Sequence, residues 1–363
     1  MTVLLMIGTR KGLWLARSDD DRQSWKLDGP QFLMQEIPAC AIDTRGPTPR
    51  LLAGARSEQW GPSVFHSDDL GASWTEPEGG AIRFPAEADA AVAAIWQLRP
   101  DTAGRPNVVW AGSEPSALWR SDDGGQTFAL VDGLWDHPHR PSWEPGFGGQ
   151  AIHTVLPHPT DDSRVLVAMS TGGVYVSGDS GKSWEPSNTG IKAHFRPDPW
   201  PEYGQCVHKV ARDSADPERL FAQSHRGVYR SDDGGSSWTS IADGLPSDFG
   251  FPMVTHPAQP GTAWVAPLVA DVERVPPEGA LRVWRTTDSG ESWTSVSSGL
   301  PEAGFYAAVM RDAFTADDVA GSTGLYLGAR DGSVYASADE GETWREVARH
   351  LPDVLCVRAA VVS

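Results

Sequence analysis

The chain has 363 residues, 48 acidic against 30 basic, for a formal net charge of −18 and an isoelectric point near 4.9. That balance argues against nucleic acid and anionic membrane as partners, and no run approaches the ~20 apolar residues of a membrane helix. Cys40, Cys206 and Cys356 show no paired spacing, and the N-terminus reads directly as a strand without a basic leader. A disulfide-free, cytoplasmic protein is the expectation.

Two short apolar strands, 3–8 and 13–17, lead into the segment 18–25, SDDDRQSW. Close copies follow at 67–74 (SDDLGASW), 121–128 (SDDGGQTF), 177–184 (SGDSGKSW), 231–238 (SDDGGSSW), 286–293 (TTDSGESW) and 337–344 (SADEGETW). The template is Ser/Thr-x-Asp-x-Gly-x-Ser/Thr-aromatic, and the first copy departs from it by Arg22 in place of glycine. Successive copies start 49, 54, 56, 54, 55 and 51 residues apart, which is the signature of a repeat protein. An Asp in a tight turn accepts backbone N–H bonds from residues just beyond it, and Gly supplies the positive φ. A strand with an aromatic two residues upstream precedes six of the copies (Phe65, Trp119, Tyr175, Tyr229, Trp284, Tyr335). Each copy is therefore expected to be a structural hairpin turn, and not an acidic catalytic cluster.

Each repeat accommodates four short strands. The first repeat lacks an innermost strand, and the segment 354–362 (VLCVRAAVV) supplies one from the far end of the chain. This predicts an all-β, seven-bladed β-propeller in one domain, closed by the C-terminal strand, which removes two exposed sheet edges. The expected blades are 354–362 plus 2–28, then 36–78, 92–131, 151–187, 206–242, 251–297 and 305–348.

The repeated segments resemble the Asp-box (BNR) repeats of sialidase-like propellers, also found in sortilin-type receptors and xyloglucan-degrading glycosidases. The resemblance covers the whole chain and implies the fold, not the reaction. Three converging arginines look like the carboxylate-binding triad of sialidases. That family's Phe/Tyr-Arg-Ile-Pro motif is absent before Ser18, however, and Ile82-Arg83-Phe84-Pro85 is scrambled and in the wrong blade. Glu202–Tyr203 has no spacing that marks a nucleophile pair, so the sialidase catalytic residues are not carried over.

In a propeller the loops after the second and fourth strands of each blade share one face, the top. The long loops 75–91, 130–150, 185–205 and 269–279 all fall there, and loop elaboration on one face is where sites are built. His153 and His208 occupy matching positions of innermost strands in adjacent blades, and His225 lies in a loop beside His208. His137, His139 and Arg140 lie in the loop leading to His153. Three readings of the histidines stand open: capping of loops and carbonyls, a metal site from His153, His208 and His225, or acid–base catalysis without metal. A divalent ion such as zinc is the cofactor the second reading would take. Cys206 would join it by sharing a face with His208, provided that no bulge intervenes.

Second strands end in equivalent Gly-x-Arg triplets at Arg10, Arg56 and Arg330, in three neighbouring blades, while Glu114 takes that place in the third blade and Arg226 follows His225 in the fifth. Arginine suits bidentate carboxylate or phosphate binding. The plain alternative pairs the three arginines with Glu36, Glu58 and Asp331. Trp60, Trp143 and Tyr306 are the aromatics expected to meet a ligand. The combined expectation is a hydrolase or lyase for a small anionic or sugar-like molecule in the top funnel. Catalytic candidates are His153, His208, His225, Glu36, Glu58 and Glu114, with Arg10, Arg56 and Arg330 as the anion clamp. The alternative is a non-catalytic module docking a protein or peptide on a flat top face.

Overall fold

A computed structural model describes every residue except Met1, Asp20, Phe147, Asp271, Ala320 and Ser363. Among the described residues the chain forms small antiparallel sheets, the arrangement of a β-propeller. Four sheets have four strands each; one of them runs Val207–Arg212, Leu220–Ser224, Val228–Ser231 and Thr239–Ser240 in order. Another pairs Glu36–Asp43, Arg50–Ser57 and Gly61–Ser67, and a bridge between His66 and Thr75 begins its fourth edge.

The remaining eight strands form one sheet from the two ends of the chain. Val354–Val362 pairs antiparallel with Thr2–Thr9, with Val3 opposite Val361 and Ile7 opposite Val357. On its other side it meets Val309–Val319 in parallel, through Asp312 and Cys356. The C-terminal segment thus lies beside the N-terminal strand, as its apolar pattern predicts. The core lies between successive sheets. Trp119, Val109 and Ala111 pack on Leu52 and Ala41, and Trp110, Trp119 and Trp264 are fully buried. Each such side chain contributes about 1.5–3 kcal/mol. No helix among the described residues is long and apolar enough to cross a membrane.

The repeated turns are fasteners, but the buried member is the hydroxyl and not the carboxylate. Ser231 is buried; its Oγ accepts from Gly235 N–H at 2.9 Å and donates to Asp233 at 2.8 Å. Exposed Asp233 then accepts from Ser237 N–H at 2.9 Å and Ser237 Oγ at 2.6 Å. The same set recurs around Ser67, Ser177, Thr286 and Ser337. Gly235 has φ +100°, the left-handed conformation that the turn requires. Box tryptophans latch onto the sheet before: Trp238 Nε1 donates to the Ser187 carbonyl at 3.0 Å, and Trp293 Nε1 to that of Ile241 at 2.8 Å.

The first copy is built differently. Asp20 lies outside the described residues, and Ser18 Oγ has no partner among those described. Arg22, left-handed at φ +54° and buried, inserts its guanidinium into the hairpin of Val309–Val319 and Ser322–Ala329. It donates to Asp317 at 2.8 Å, the Tyr326 hydroxyl at 2.7 Å and the Ser322 carbonyl at 2.9 Å.

Candidate functional site

The inner strand of each repeat breaks register at one place, and those places face one cavity. Shifts occur between Glu36 and Ala39, Ile95 and Gln97, Ile152 and Thr154, Val207 and Lys209, Gly250 and Met253, and Val309 and Phe314. A further one falls where Thr2–Thr9 meets Val354–Val362, between Val354 and Cys356 on the latter strand. A bulge leaves an extra residue unpaired and re-aims its side chain, and bulges concentrate beside active sites. The residues so released include Pro38, Trp96, His208, Phe251, Met310, Arg311, Asp312 and Leu355, all of which line a cavity of about 880 Å³. His153 is the extra residue of its strand, but it is buried and does not line the cavity.

The turns after second strands supply the rest of the wall: Arg10, Arg56, Glu114, Thr171, His225, Arg274 and Arg330. Glu144 and Gly149 from the loop 130–150, and Phe195 from the loop 185–205, complete it. The three triplet arginines do converge. Glu36 bridges Arg10 (3.4 Å) and Arg56 (3.5 Å), while Asp353 takes Arg330 (2.7 Å) and Arg10 (3.3 Å). Asp353 therefore fills the place expected of Glu58 and Asp331, because the chain entering the C-terminal strand passes between blade ends. Asp331 instead accepts from Ser333. Two acids face three guanidinium groups, which favours an anionic guest.

One wall holds Cys206, His208 and His225. One ligand atom of each lies within 4.8 Å of the others. A bulge does intervene at His208, contrary to the condition set on the strand pattern, yet the thiol and imidazole still converge. The backbone turn explains this: His225 N–H donates to the Cys206 carbonyl at 2.7 Å and Ser224 Oγ to the same oxygen at 3.1 Å, folding the loop back over the strand start. His208 Nδ1 lies 2.5 Å from the Gly250 carbonyl, which fixes the proton there and leaves Nε2 as the acceptor. Its ring stacks on Phe251 at 4.7 Å and meets His225 edge-on at 5.4 Å. Burial, then the charge of Arg311, holds His208 well below its usual range. The same two causes do so for His153, neither of whose ring nitrogens has a partner among the described residues. His153 is not among the converging side chains, which are Cys206, His208 and His225.

Beside this wall lies a charged group that the strand pattern did not reveal. Arg311 sits against the faces of Trp96 (5.2 Å) and Phe251 (5.4 Å), and Arg274 against Phe251 (5.6 Å). Asp312 accepts from Lys209 Nζ at 2.8 Å and from Arg358, while its Oδ2 is buried without a partner among the described residues. Burial would raise the Asp312 carboxyl, but Lys209 and Arg358 together hold it below its ordinary value. Burial pulls Lys209 down to about 8 against the attraction of Asp312. Glu114 accepts from the Trp96 indole N–H at 3.0 Å, with Gly149 packed so closely on its carboxylate that a Cβ there would lie 2.4 Å from Oε1.

Other expected site residues lie elsewhere. Glu58 and Arg226 do not line the cavity. Trp60 and Tyr306 are 86% and 70% exposed, and Tyr306 leans on the backbone at Gly279. His137, His139 and Trp143 prop a loop: Trp143 Nε1 and His139 Nδ1 both meet the Tyr175 hydroxyl, at 3.1 and 3.0 Å, and His137 meets the Trp184 carbonyl at 3.1 Å. Arg140 stacks on Trp135 at 3.9 Å. Aromatic propping of the loop accounts for His137, His139, Trp143 and Arg140.

An all-β propeller with a cavity at the loop ends of its inner strands, lined by arginines, carboxylates and aromatic rings, is the class that fold and site define. No family model matches the chain. Curated relatives that it matches are xyloglucanases: that of Paenibacillus sp is 27% identical over 237 residues, covering 64% of this chain and 20% of the relative. A xyloglucanase of Acetivibrio thermocellus is 28% identical over 236 residues, covering 56% of this chain and 26% of the relative. The chain spans well under half the length of these curated relatives. Among solved structures it resembles an ancestral GH74 enzyme (TM-score 0.56, 19% identity, 82% of this chain and 37% of that one). It also resembles YCF48 bound to a D1 peptide (TM-score 0.50, 15% identity, 85% and 81%). These likenesses show the fold.

Proposed function

We propose that the chain is a glycosidase-like enzyme, a seven-bladed propeller closed by Val354–Val362, that takes a sugar or sugar acid into its cavity. The observation that carries this reading is the cavity itself. It gathers Glu36, Glu114, Glu144 and Asp312 with Trp96, Phe195 and Phe251 in one concavity, where a docking platform would be flat. The xyloglucanase relatives support carbohydrate as the ligand class. Glycoside hydrolysis needs one carboxyl that gives a proton and one that stays ionised. Asp312 suits the ionised role, because Lys209 and Arg358 favour its charge and one oxygen has no partner among the described residues. Glu114, which lines the same cavity and is held by the Trp96 indole N–H at 3.0 Å, is assigned the proton donor's role. Trp96 and Phe195 give the cavity aromatic surface for a sugar, and Arg10, Arg56 and Arg330 hold an acidic group.

The test is release of new reducing ends from xyloglucan, its oligosaccharides and acidic oligosaccharides. Glu114→Gln is expected to lower kcat by about 10²- to 10⁴-fold. Failure of every substrate to bind or be cut, or full activity in Glu114→Gln, overturns the reading. Closure has its own check: a chain ending at Pro352 exposes the edges of Thr2–Thr9 and Val309–Val319 and should lose cooperative unfolding. An unchanged melting curve would refute closure.

A further inference from the structure

The wall formed by Cys206, His208 and His225 has a purpose that sugar hydrolysis does not require. We infer that these three side chains form a metal site for a zinc-class divalent ion, with the cavity side open for a fourth ligand.

The donors come first. A thiolate and two imidazoles form a soft-to-borderline set that suits zinc or cobalt and disfavours magnesium or calcium. Three protein ligands with an open position are the arrangement of a reactive metal, whereas purely structural zinc is closed by four. The geometry is near what is required. The ligand atoms lie within 4.8 Å of one another, and donors on a tetrahedral ion with Zn–N near 2.1 Å and Zn–S near 2.3 Å sit roughly 3.5 Å apart. The remaining contraction of about 1 Å is within reach of the His225 side chain, which stands on a turn and is only partly buried.

The surroundings are those of a ligand set. A metal-bound histidine normally donates its other N–H to a carbonyl or carboxylate, and His208 does so to Gly250. Phe195, Phe249 and Phe251 crowd the two imidazoles. Arg311 and Arg274 stand near enough to act on the thiol and on His208. A divalent ion with one thiolate leaves a single positive charge beside two guanidinium groups, so the fourth ligand should be anionic: hydroxide, or a carboxylate of the guest. The site rests on this wall alone and stands whether or not the chain cuts sugars.

The test uses the full chain, freed of metal by a chelator and titrated with cobalt(II). One equivalent should bind with a near-ultraviolet thiolate-to-cobalt charge-transfer band and the visible bands of a four-coordinate ion, and zinc should displace it. Cys206→Ser should abolish the charge-transfer band, and His225→Gln should weaken binding by more than about tenfold. Cys40→Ser, which alters the buried pair Cys40–Cys356 (3.5 Å), should change neither. As a measurement that needs no variant, zinc should protect Cys206 from alkylation as read by mass spectrometry. Absence of a thiolate band, its persistence in Cys206→Ser, or alkylation of Cys206 indifferent to zinc overturns the inference.

Discussion

Lys209 and Asp312 meet at 2.8 Å in the interior, from strands more than a hundred residues apart in sequence. Arg358 shares the same carboxylate, so one buried acid holds two partly buried cations. Removing one member of a buried pair leaves uncompensated charge, at a cost of about 3–5 kcal/mol. Asp312→Asn should be destabilised by that order at pH 7 in denaturant titration. Part of the loss should return as pH rises towards 8, because without Asp312 the Lys209 amine loses the partner that holds its pKa up to about 8 and sheds its charge below that value. A variant within about 1 kcal/mol of the parent at pH 7 would remove the pair from the account of stability.

The box turns make a ranking testable. Ser231→Ala strands the buried Gly235 N–H, at about 1–3 kcal/mol. Asp233→Ala removes bonds made at the surface and should cost less, roughly 0.5–1.5 kcal/mol. Chemical denaturation of both variants decides the order; the reverse would show that the carboxylate is the pivot.

Arg22 opposes repeat logic to packing. Arg22→Gly restores the box glycine and relieves a left-handed residue, worth about 1–2 kcal/mol. It also strips Asp317 and Tyr326 of a buried partner, costing about 3–5 kcal/mol. Net destabilisation is expected. A consensus variant with a higher Tm would mean that the buried pair contributes little.

Acid sensitivity should track His153. Burial holds its folded-state pKa below the ordinary 6.5, so the unfolded chain binds more protons as pH falls below that value. Stability is therefore full above about pH 6.5 and declines below it, by up to about 1.4 kcal/mol per pH unit for one such group. His153→Leu should flatten that slope, measured in metal-free protein between pH 7 and 5. An unchanged slope would place the sensitivity elsewhere.

The repeat was legible because a hairpin fastener is local: Ser, Asp, Gly and Trp sit within eight residues, and their spacing is their geometry. The arginines at the ends of second strands were legible for the same reason, since Arg10, Arg56 and Arg330 follow matching Gly-x triplets. Trp96, Arg311 and Asp312 were not. Each is aimed inward by a bulge, and a bulge is a disagreement between two strands that neither strand records alone. Asp353 was missed because its partners, Arg330 and Arg10, meet it only once the two ends of the chain lie side by side.

Those excesses, one residue on most inner strands and three between Val309 and Phe314, also separate two kinds of information in the molecule. Beyond each bulge the inner strand returns to register with its neighbour, as Lys209 to Arg212 do against Leu220 to Gln223. The side chain carried on the excess residue is therefore decoupled from the frame that bears it. Exchanging Trp96, His208, Phe251 or Arg311 rewrites the lining while the fasteners and latching tryptophans stay as they are. A chain organised this way can acquire a new chemistry through a handful of substitutions at positions its architecture does not read.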